Sequence, residues 1–288
     1  MRRLPTLAVA LYLAAIGAAI AADAPTTSGS LTTPRGKAAL TEAYAVEYLN
    51  EEGLGDGPEL RILLADRRVD RDLLSGPQLT GLERAARKGL LRGVLLRLDP
   101  KLLNKAPVRG TLLAGPGAPQ DALTPFTVTG DGGGFSSLAV AGNRISGAAR
   151  LESKSAPPIQ PYGYEATFKA PVTKDVASAR VIGRRAQESG QAKAVLAFER
   201  ALRDGDMLSV STFTTPDRFA ELDAAYLQAG VASFLEQMKM QLPEPHLRQA
   251  QVRELVVYGN KAYLVMVDAT GTRTVVALVH QDGTWKVD

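Results

Sequence analysis

Apolar and polar positions alternate over short stretches between residues 37 and 172, and this two-residue period is typical of β-strands. In the stretch Ala43–Tyr48, for example, Tyr44 and Val46 fall on one face. A helix is predicted from a capping box at Thr80–Glu83 to Gly89. Further strands are predicted at Leu60–Ala65, Leu91–Leu98, Arg109–Leu113, Phe126–Thr129, Phe135–Val140, Ile145–Leu151 and Tyr164–Lys169. The pattern favours a mainly β sandwich or open barrel with one short helix.

From residue 191 the apolar positions recur at helical spacing instead. Val195, Phe198 and Leu202 share one helical face, and Gly205 ends that stretch. A second helix is predicted to start at Thr215-Pro216-Asp217, which offers a capping hydroxyl, a proline at the first helical position and an acid favourable to the helix dipole. The last hundred residues therefore begin with a layer of helices.

Three tight-turn signals divide the last forty residues into four strands of an antiparallel meander. They are Gly259-Asn260, Thr270-Gly271 and Asp282-Gly283. The C-terminal part is therefore predicted to be α+β, with helices packed on a four-stranded sheet.

The spacing of these turns also predicts which residues lie opposite each other. With two-residue loops, Tyr263 lies between Val256 and Leu278, and His280 lies opposite Trp285. One face then carries Val256, Tyr258, Tyr263, Val265, Val276, Leu278, His280 and Trp285, and the other carries Leu255, Val257, Leu264, Met266, Val275, Ala277 and Val279. Because both faces of the sheet are apolar, each of them should be buried against another part of the structure. Helices can cover one, and the first domain, a second copy of the chain and a ligand-filled cavity are the alternatives for the other.

Three segments of this region carry a resemblance to a known superfamily. They are Ala194–Asp206, Lys261–Val265 and the closing Asp282–Asp288, whose sequence is Asp-Gly-Thr-Trp-Lys-Val-Asp. Together they resemble the NTF2-like (SnoaL/ketosteroid-isomerase-like) superfamily over about the last hundred residues. The resemblance implies an α+β cone, with helices in the concave side of a curved sheet and frequent dimerisation through that sheet. It also implies a choice among isomerases, hydratases, cyclases and non-catalytic binding modules.

The N-terminal domain has a resemblance of its own, which carries no known activity. Ile145-Ser146-Gly147 and Tyr164–Phe168 look like the N-terminal part of uncharacterised exported bacterial proteins that share this two-domain order.

The catalytic group of the isomerases cannot be placed in this chain. Those enzymes use a carboxylate base, and a tyrosine with a protonated acid as the oxyanion hole. Asp268 is the one acid within a predicted meander strand, and the register predicts that it pairs with Arg273 at the surface. No catalytic residue is assigned.

Seven residues form the predicted lining of a cavity or interface. They are Phe198, Leu202, Tyr226, Tyr258, Tyr263, His280 and Trp285. His280 is interpreted as stacked on Trp285, with catalysis as the alternative, and His246 as an exposed loop residue. With these two histidines and no cysteine, neither a metal site nor a cofactor site is expected.

The first residues have the features of a secretory signal peptide. Arg2 and Arg3 precede an apolar run from Leu7 to Ile20, and small residues follow at the expected cleavage site after Ala21 or Ala22. The run is about fourteen residues, whereas a membrane-spanning helix needs roughly twenty, so an uncleaved anchor is the weaker alternative. Without cysteines for disulfides or lipid attachment, the protein is predicted to be released into the periplasm or secreted.

These patterns divide the chain into five segments. They are a signal peptide at 1–21, a flexible leader at 22–36, a β-rich domain at 37–172, a linker at 173–190 and an NTF2-like domain at 191–288. The formal net charge of +4 and the scattered aromatic residues argue against binding of nucleic acid.

The function expected from the sequence is non-catalytic binding. The NTF2-like domain would bind an envelope protein, a second copy of the chain or a small apolar ligand. The alternative is an isomerase- or hydratase-type enzyme that transfers protons inside the cone, with His280 or Tyr263 involved.

Overall fold

The computed structural model describes residues 25–34, 36–50, 53–55, 57–103, 108–114, 123–128, 134–135, 137–152, 162–243, 251–268 and 270–288. They divide into a first unit that ends at Asp175 and a second unit from Val176 to Asp288, with residues 53–54 grouped with the second. The chain is mixed α+β, and each unit has its own sheet. The predicted signal peptide lies outside the described residues.

Eleven strands described in the first unit join into one sheet, which curls into a half-barrel. The order across it is β2-β1-β11-β3-β4-β5-β6-β7, and β10 pairs with β11, β8 and β9. The bounds are β1 Thr26–Thr33, β2 Gly36–Leu40, β3 Glu42–Tyr48, β4 Glu59–Ala65, β5 Gly93–Leu98, β6 Val108–Leu113, β7 Leu123–Val128, β8 Gly134–Phe135, β9 Ala139–Ala141, β10 Arg144–Glu152 and β11 Gly163–Asp175. The predicted leader at 22–36 therefore contains a strand, β1.

Strand β11 holds this sheet together because it pairs with different strands along its length. Its first part lies antiparallel between β1 and β10. Its last part, Val172–Asp175, runs parallel to β3. Tyr164, Ala166 and Phe168 alternate with exposed residues and enter the apolar core. The strand thus extends beyond the predicted end of the β-rich domain at residue 172.

Apolar clusters cover both faces of the central strands. Every residue of β4 is buried, and Ile62 and Leu63, which are adjacent in this strand, belong to different clusters. A strand buried on both faces reads as a continuous apolar run, as this one does. Helix α1, Thr80–Arg87, covers one face with Leu82 and Ala86.

Helix α1 confirms the predicted helix but not its predicted start. Leu79 is the N-cap residue, and no side chain makes a capping hydrogen bond there. The predicted capping box at Thr80–Glu83 is therefore wrong, because Thr80 already lies within the first turn and cannot cap it. Past the other end, Gly89 has a φ of 70°, as a helix-ending glycine should.

The second unit contains five helices and five strands among its described residues. The order across its sheet is β12-β13-β14-β15-β16, with each pair antiparallel. The bounds are β12 Ala179–Ile182, α2 Arg184–Gln187, α3 Gly190–Asp204, α4 Met207–Phe213, α5 Pro216–Ala229, α6 Val231–Gln241, β13 Gln251–Tyr258, β14 Lys261–Val267, β15 Arg273–Gln281 and β16 Thr284–Val287.

The segment predicted as a linker, residues 173–190, is structured instead. It contains the end of β11, the whole of β12 and the short helix α2. Strand β12 adds a fifth strand to the predicted four-stranded meander by pairing with β13, where Val181 lies opposite Leu255. Its short length and the exposed Arg180 hide the strand in the sequence pattern.

Local hydrogen bonds explain where the helices begin and end. Ser189 caps α3 by accepting a hydrogen bond from the backbone N–H of Ala192, at 3.1 Å. Thr215 caps α5 in the same way, with Pro216 at the first helical position, which confirms the predicted start. Gly205 ends α3 in the left-handed conformation that glycine adopts without a steric penalty.

Helices and sheet enclose an apolar core, which we call the helix-side cluster. It contains Ala186, Ala192, Val195, Phe198, Ala201, Leu202, Val210, Leu222, Phe234, Met238, Val252, Leu255, Ala262, Leu264, Met266, Leu278 and Val287. Helix α3 packs against α2, α4, α6, β14 and β16. It is therefore the central helix of this layer.

The register of the meander agrees with the prediction at two turns and differs at the third. Val256 lies opposite Tyr263, and His280 lies opposite Trp285, as predicted. Tyr263, however, lies opposite Ala277, where Leu278 was expected. The slip by one residue exchanges the two faces of β15, because side chains alternate along a strand.

The cause of the slip is a longer turn between β14 and β15. The connection runs from Asp268 to Thr272, and the Asp268 carboxylate accepts hydrogen bonds from the backbone N–H groups of Thr270 and Thr272, at 2.8 and 2.9 Å. The predicted pair of Asp268 with Arg273 is therefore wrong. Arg273 lies opposite Val267.

Candidate functional site

The structure does not bring the seven predicted lining residues together on one surface. Phe198 and Leu202 are buried in the helix-side cluster, and Tyr226 and Trp285 pack against it while half-buried. Tyr258 lies directly opposite Lys261, and Tyr263 lies directly opposite Val256. These side chains share the face of the sheet that points away from the helices. The predicted set thus belongs to two faces.

His280 and Trp285 lie side by side at the end of the sheet. Their ring centroids are 5.0 Å apart, with 53° between the ring planes. This geometry confirms the predicted contact between the two rings. Because the imidazole is exposed while the indole packs on the helix-side cluster, the pair lies at the margin of that cluster. His246 lies outside the described residues.

Tyr258 and Tyr263 form a second aromatic pair. Each is 2 % exposed, and their ring centroids are 6.0 Å apart in an edge-to-face arrangement. They pack as aromatic side chains of a protein interior do. Their position on the face away from the helices separates them from any site that Trp285 lines.

A residue that the sequence reasoning missed, Glu199, lies on the buried face of α3. At 100° per residue it falls between Ala192 and Val195 around the helix axis, and both of these residues are buried in the helix-side cluster. Its side chain is buried with them at 9 % exposure, and its Oε2 atom has no hydrogen-bond partner among the described residues. The sequence does contain a signal for this residue, because an acidic residue on the apolar face of a predicted helix indicates a buried carboxyl group.

Burial changes the chemistry of this carboxyl group. Loss of solvation raises the pKa of Glu199 from 4.5 to about 7, and no neighbouring charge contributes to the shift. The group therefore exchanges its proton near neutral pH, where an ordinary glutamate is fully ionised. Residues with such pKa values are candidates for functional roles.

Helices α5 and α6 are joined by a stretch without charged residues that exposes apolar side chains. Residues 224 to 235 include no charged side chain, yet Leu227 is 71 % exposed and Val231 is 53 % exposed. Few residues of the pair are buried, and Tyr226 contacts Phe234 edge-on at the joint, with ring centroids 5.2 Å apart. We call the exposed residues within 224–235 the uncharged surface of the α5–α6 pair.

The first unit has a polar cluster centred on Arg61, which is fully buried. The guanidinium lies 4.4 Å from the centroid of the Tyr48 ring and donates hydrogen bonds to the carbonyl oxygens of Leu74 and Gly76, at 2.7 and 2.6 Å. Burial lowers the pKa of Arg61, and the adjacent Glu59 opposes that effect. The cluster holds the segment before α1 against the sheet.

Glu59 accepts hydrogen bonds from two arginines of this cluster. Arg97 binds both carboxylate oxygens at 2.5 and 2.6 Å, and the Nε of Arg61 lies 3.4 Å from Oε2. Burial by itself would raise the pKa of Glu59, but the hydrogen bonds and charges of Arg97 and Arg61 outweigh it and lower that pKa. A buried acid with two paired arginines is a structural network.

Neither unit shows a metal centre in the part of the chain that the structure describes. No group of three or more histidine, aspartate or glutamate side chains is placed there to hold an ion. None of the helices in the same part of the chain is long and apolar enough to span a membrane.

Comparison with known proteins found no match. No model of a protein family, no curated protein and no solved structure matches the chain. The function is therefore argued from Glu199, the α5–α6 pair and the fold that positions them.

Proposed function

We propose that this protein is a non-catalytic exported protein whose second unit is an NTF2-like binding module. The module would dock a partner protein on the uncharged surface of the α5–α6 pair. The observation that carries the proposal is the exposure of Leu227 and Val231 within a stretch that contains no charge. Large exposed apolar patches on a folded protein mark interaction sites, and Leu227 and Val231 lie four residues apart in this uncharged stretch.

The packing of the helix-side cluster supports binding over catalysis. Phe198, Leu202 and Trp285 belong to one apolar cluster with the sheet, which is how a structural core is built. A catalytic pocket would instead bring several polar groups together. Binding on the outer surface of the helices requires no such pocket.

The charges next to the uncharged surface indicate the chemistry of the partner. Asp223 of α5 precedes the stretch and Glu236 of α6 follows it, while Glu221 of α5 is paired with Arg218 at 3.1 Å. A partner that buries Leu227 and Val231 should therefore present an apolar patch with basic side chains around it. This requirement favours a basic envelope protein over a second copy of the chain. In a dimer through this surface, the acids of one copy would lie against the same acids of the other and repel them.

Crosslinking tests this proposal. A photocrosslinking amino acid at position 227 should form an adduct in cells, whereas the same amino acid at Leu90 of the first unit, which is 60 % exposed, should not. The adduct partner, once purified, should bind the protein about tenfold or more weakly after the double substitution Leu227→Glu and Val231→Glu.

The substitution Leu90→Glu is the matched control and should leave that affinity unchanged. Equal adducts at positions 227 and 90, or unchanged binding by the double variant, would contradict docking at this surface. An adduct between two copies of the chain would replace the envelope partner with a homodimer.

Export is proposed from the N-terminal sequence. Arg2-Arg3 and the apolar run that follows predict cleavage after Ala21 or Ala22. Mass spectrometry of the protein recovered from the periplasm or medium should find Ala22 or Asp23 as the first residue. Recovery of the full chain in the cytoplasm would refute export.

The alternative proposal is proton-transfer catalysis, and Glu199 is the observation that favours it. A buried acid with a pKa of about 7 has the proton affinity that a general acid or base needs at neutral pH. Its test is a screen of isomerase and hydratase reactions on apolar substrates. An activity that disappears in Glu199→Gln would establish an enzyme, and its absence for all substrates leaves the binding proposal in place.

A further inference from the structure

Glu199 lies on α3, the central helix of the second unit. The helix packs against β14 and β16 of the sheet, and also against α2, α4 and α6. Its neighbours on the buried stripe, Val195 and Leu202, are apolar, so an ionised carboxylate at position 199 has no favourable surroundings.

Other charged groups on these elements do not neutralise Glu199. They are Arg184 and Arg185 of α2, Glu236 and Lys239 of α6, Lys261 of β14 and Lys286 of β16, Asp206 and Asp288 next to α4 and β16, and Lys193, Arg200, Arg203 and Asp204 of α3. Arg203, one turn along, places its Nη1 3.4 Å from Asp204 instead. The pKa of Glu199 is raised to about 7 by burial, with no contribution from a neighbouring charge.

We propose that Glu199 is a protonation switch that controls how tightly α3 packs on the sheet and on α6. When neutral, the side chain remains in the helix-side cluster among Val195 and Leu202. When ionised, it needs water, and the simplest way to admit water is to loosen the contacts of α3.

The switch would act on the proposed docking surface. Helix α6 contacts α3 directly and begins at Val231, within the uncharged surface. Looser packing of α3 changes the position and freedom of α6, and therefore the affinity of that surface for its partner. This consequence rests on the proposed docking function, whereas the switch itself does not.

The chain has a built-in reporter for the switch. Trp285 is the sole tryptophan of the sequence, and it packs against the helix-side cluster on β16, a strand that α3 contacts. Its fluorescence should shift to longer wavelength as water enters the cluster. His280 contacts the indole directly, with ring centroids 5.0 Å apart, so it needs a control of its own.

The experiment is a fluorescence titration of the purified mature protein from about pH 5 to about pH 9, which extends about two pH units to either side of the raised pKa of Glu199. The wild type should show a red shift with a midpoint near the pKa of about 7. Glu199→Gln should lack this shift, while Glu236→Gln, which removes an exposed acid from α6, and His280→Asn should retain it.

Three outcomes decide the proposal. No red shift in the wild type, or the same shift in Glu199→Gln, overturns the switch. Loss of the shift in His280→Asn alone also overturns it, because the imidazole would then be its source. Failure of docking leaves the titration unaffected, so the two proposals fail separately. If both hold, partner affinity should depend on pH in the wild type and not in Glu199→Gln.

Discussion

Tyr263 on β14 lies opposite Ala277 on β15, one residue before the position that a two-residue turn would give. This single offset decides which residues of β15 face the helices. Val276 and Leu278 pack with the helix-side cluster, while Val275 lies opposite Val265 on the other face. Leu264 and Val275, which the sequence pattern places on one face, therefore lie on opposite faces.

The offset predicts different effects for the same substitution at these two positions. Leu264 is fully buried in the helix-side cluster, so Leu264→Asp places a charge among apolar side chains and should lower the free energy of unfolding by about 4 kcal/mol or more. Val275 is half-buried, and Val275→Asp should cost about 1–2 kcal/mol. Urea unfolding measures both values, and equal losses would contradict the observed register.

Glu199 predicts an unusual dependence of stability on pH. In the unfolded chain the carboxyl ionises near pH 4.5, and in the folded protein it ionises near pH 7. The folded state therefore binds the proton more tightly, and the free energy of unfolding should fall as the pH rises through this window. A shift of this size corresponds to about 3 kcal/mol in total. Below pH 4.5 the burial carries no ionisation penalty.

The substitution Glu199→Gln should remove this dependence. At about pH 8 the variant should be more stable than the wild type by up to about 3 kcal/mol, and at about pH 4 the two should be nearly equal. Glu236→Gln, on an exposed position of α6, should follow the wild type at both values. A variant less stable than the wild type at pH 8 would show that the carboxylate has a partner.

Glu59 predicts the opposite dependence, because the pKa of this buried acid is lowered. Its contribution to stability is present above about pH 4.5 and is lost as the pH falls through the lowered pKa. At neutral pH, Glu59→Gln should lower the free energy of unfolding of the first unit by about 3 kcal/mol or more, since it leaves Arg61 buried without its counter-charge. Chemical unfolding at neutral and acidic pH should show this difference shrinking on acidification.

Much of the fold follows from the sequence because its signals are local. The turn at Asp282-Gly283 has positive φ at both residues, and the strands on either side fix the pair of His280 with Trp285. The prediction of a two-residue turn at Thr270-Gly271 was wrong because the hydrogen bonds of Asp268 hold a longer turn. A dipeptide signal does not contain that information. The same holds for β12, which is a strand only because β13 lies beside it.

The candidate site was harder to predict than the fold. Glu199 stands at an apolar position of α3 in the sequence, but the pattern of one helix does not tell how deeply that face is buried. The raised pKa requires the combined cover of α3 by helices and sheet. The exposed Leu227 likewise fits a buried helical face in the sequence, and only the fold shows that nothing in the described helices covers it.

The end of α3 provides a stability test of its packing against α6. Gly205 has a φ of 73°, and a Cβ at this position would lie 2.5 Å from the Cδ2 of Leu235. Gly205→Ala should therefore lower the free energy of unfolding by about 1–3 kcal/mol, through backbone strain and a clash with α6.

Gly190, at the start of the same helix, has no atom within 4 Å of such a Cβ and an ordinary φ. Gly190→Ala should raise stability by about 0.5–1 kcal/mol, because it reduces the freedom of the unfolded chain. Thermal unfolding of the two variants should give shifts of opposite sign, and a stabilising Gly205→Ala would show that α6 does not contact the end of α3.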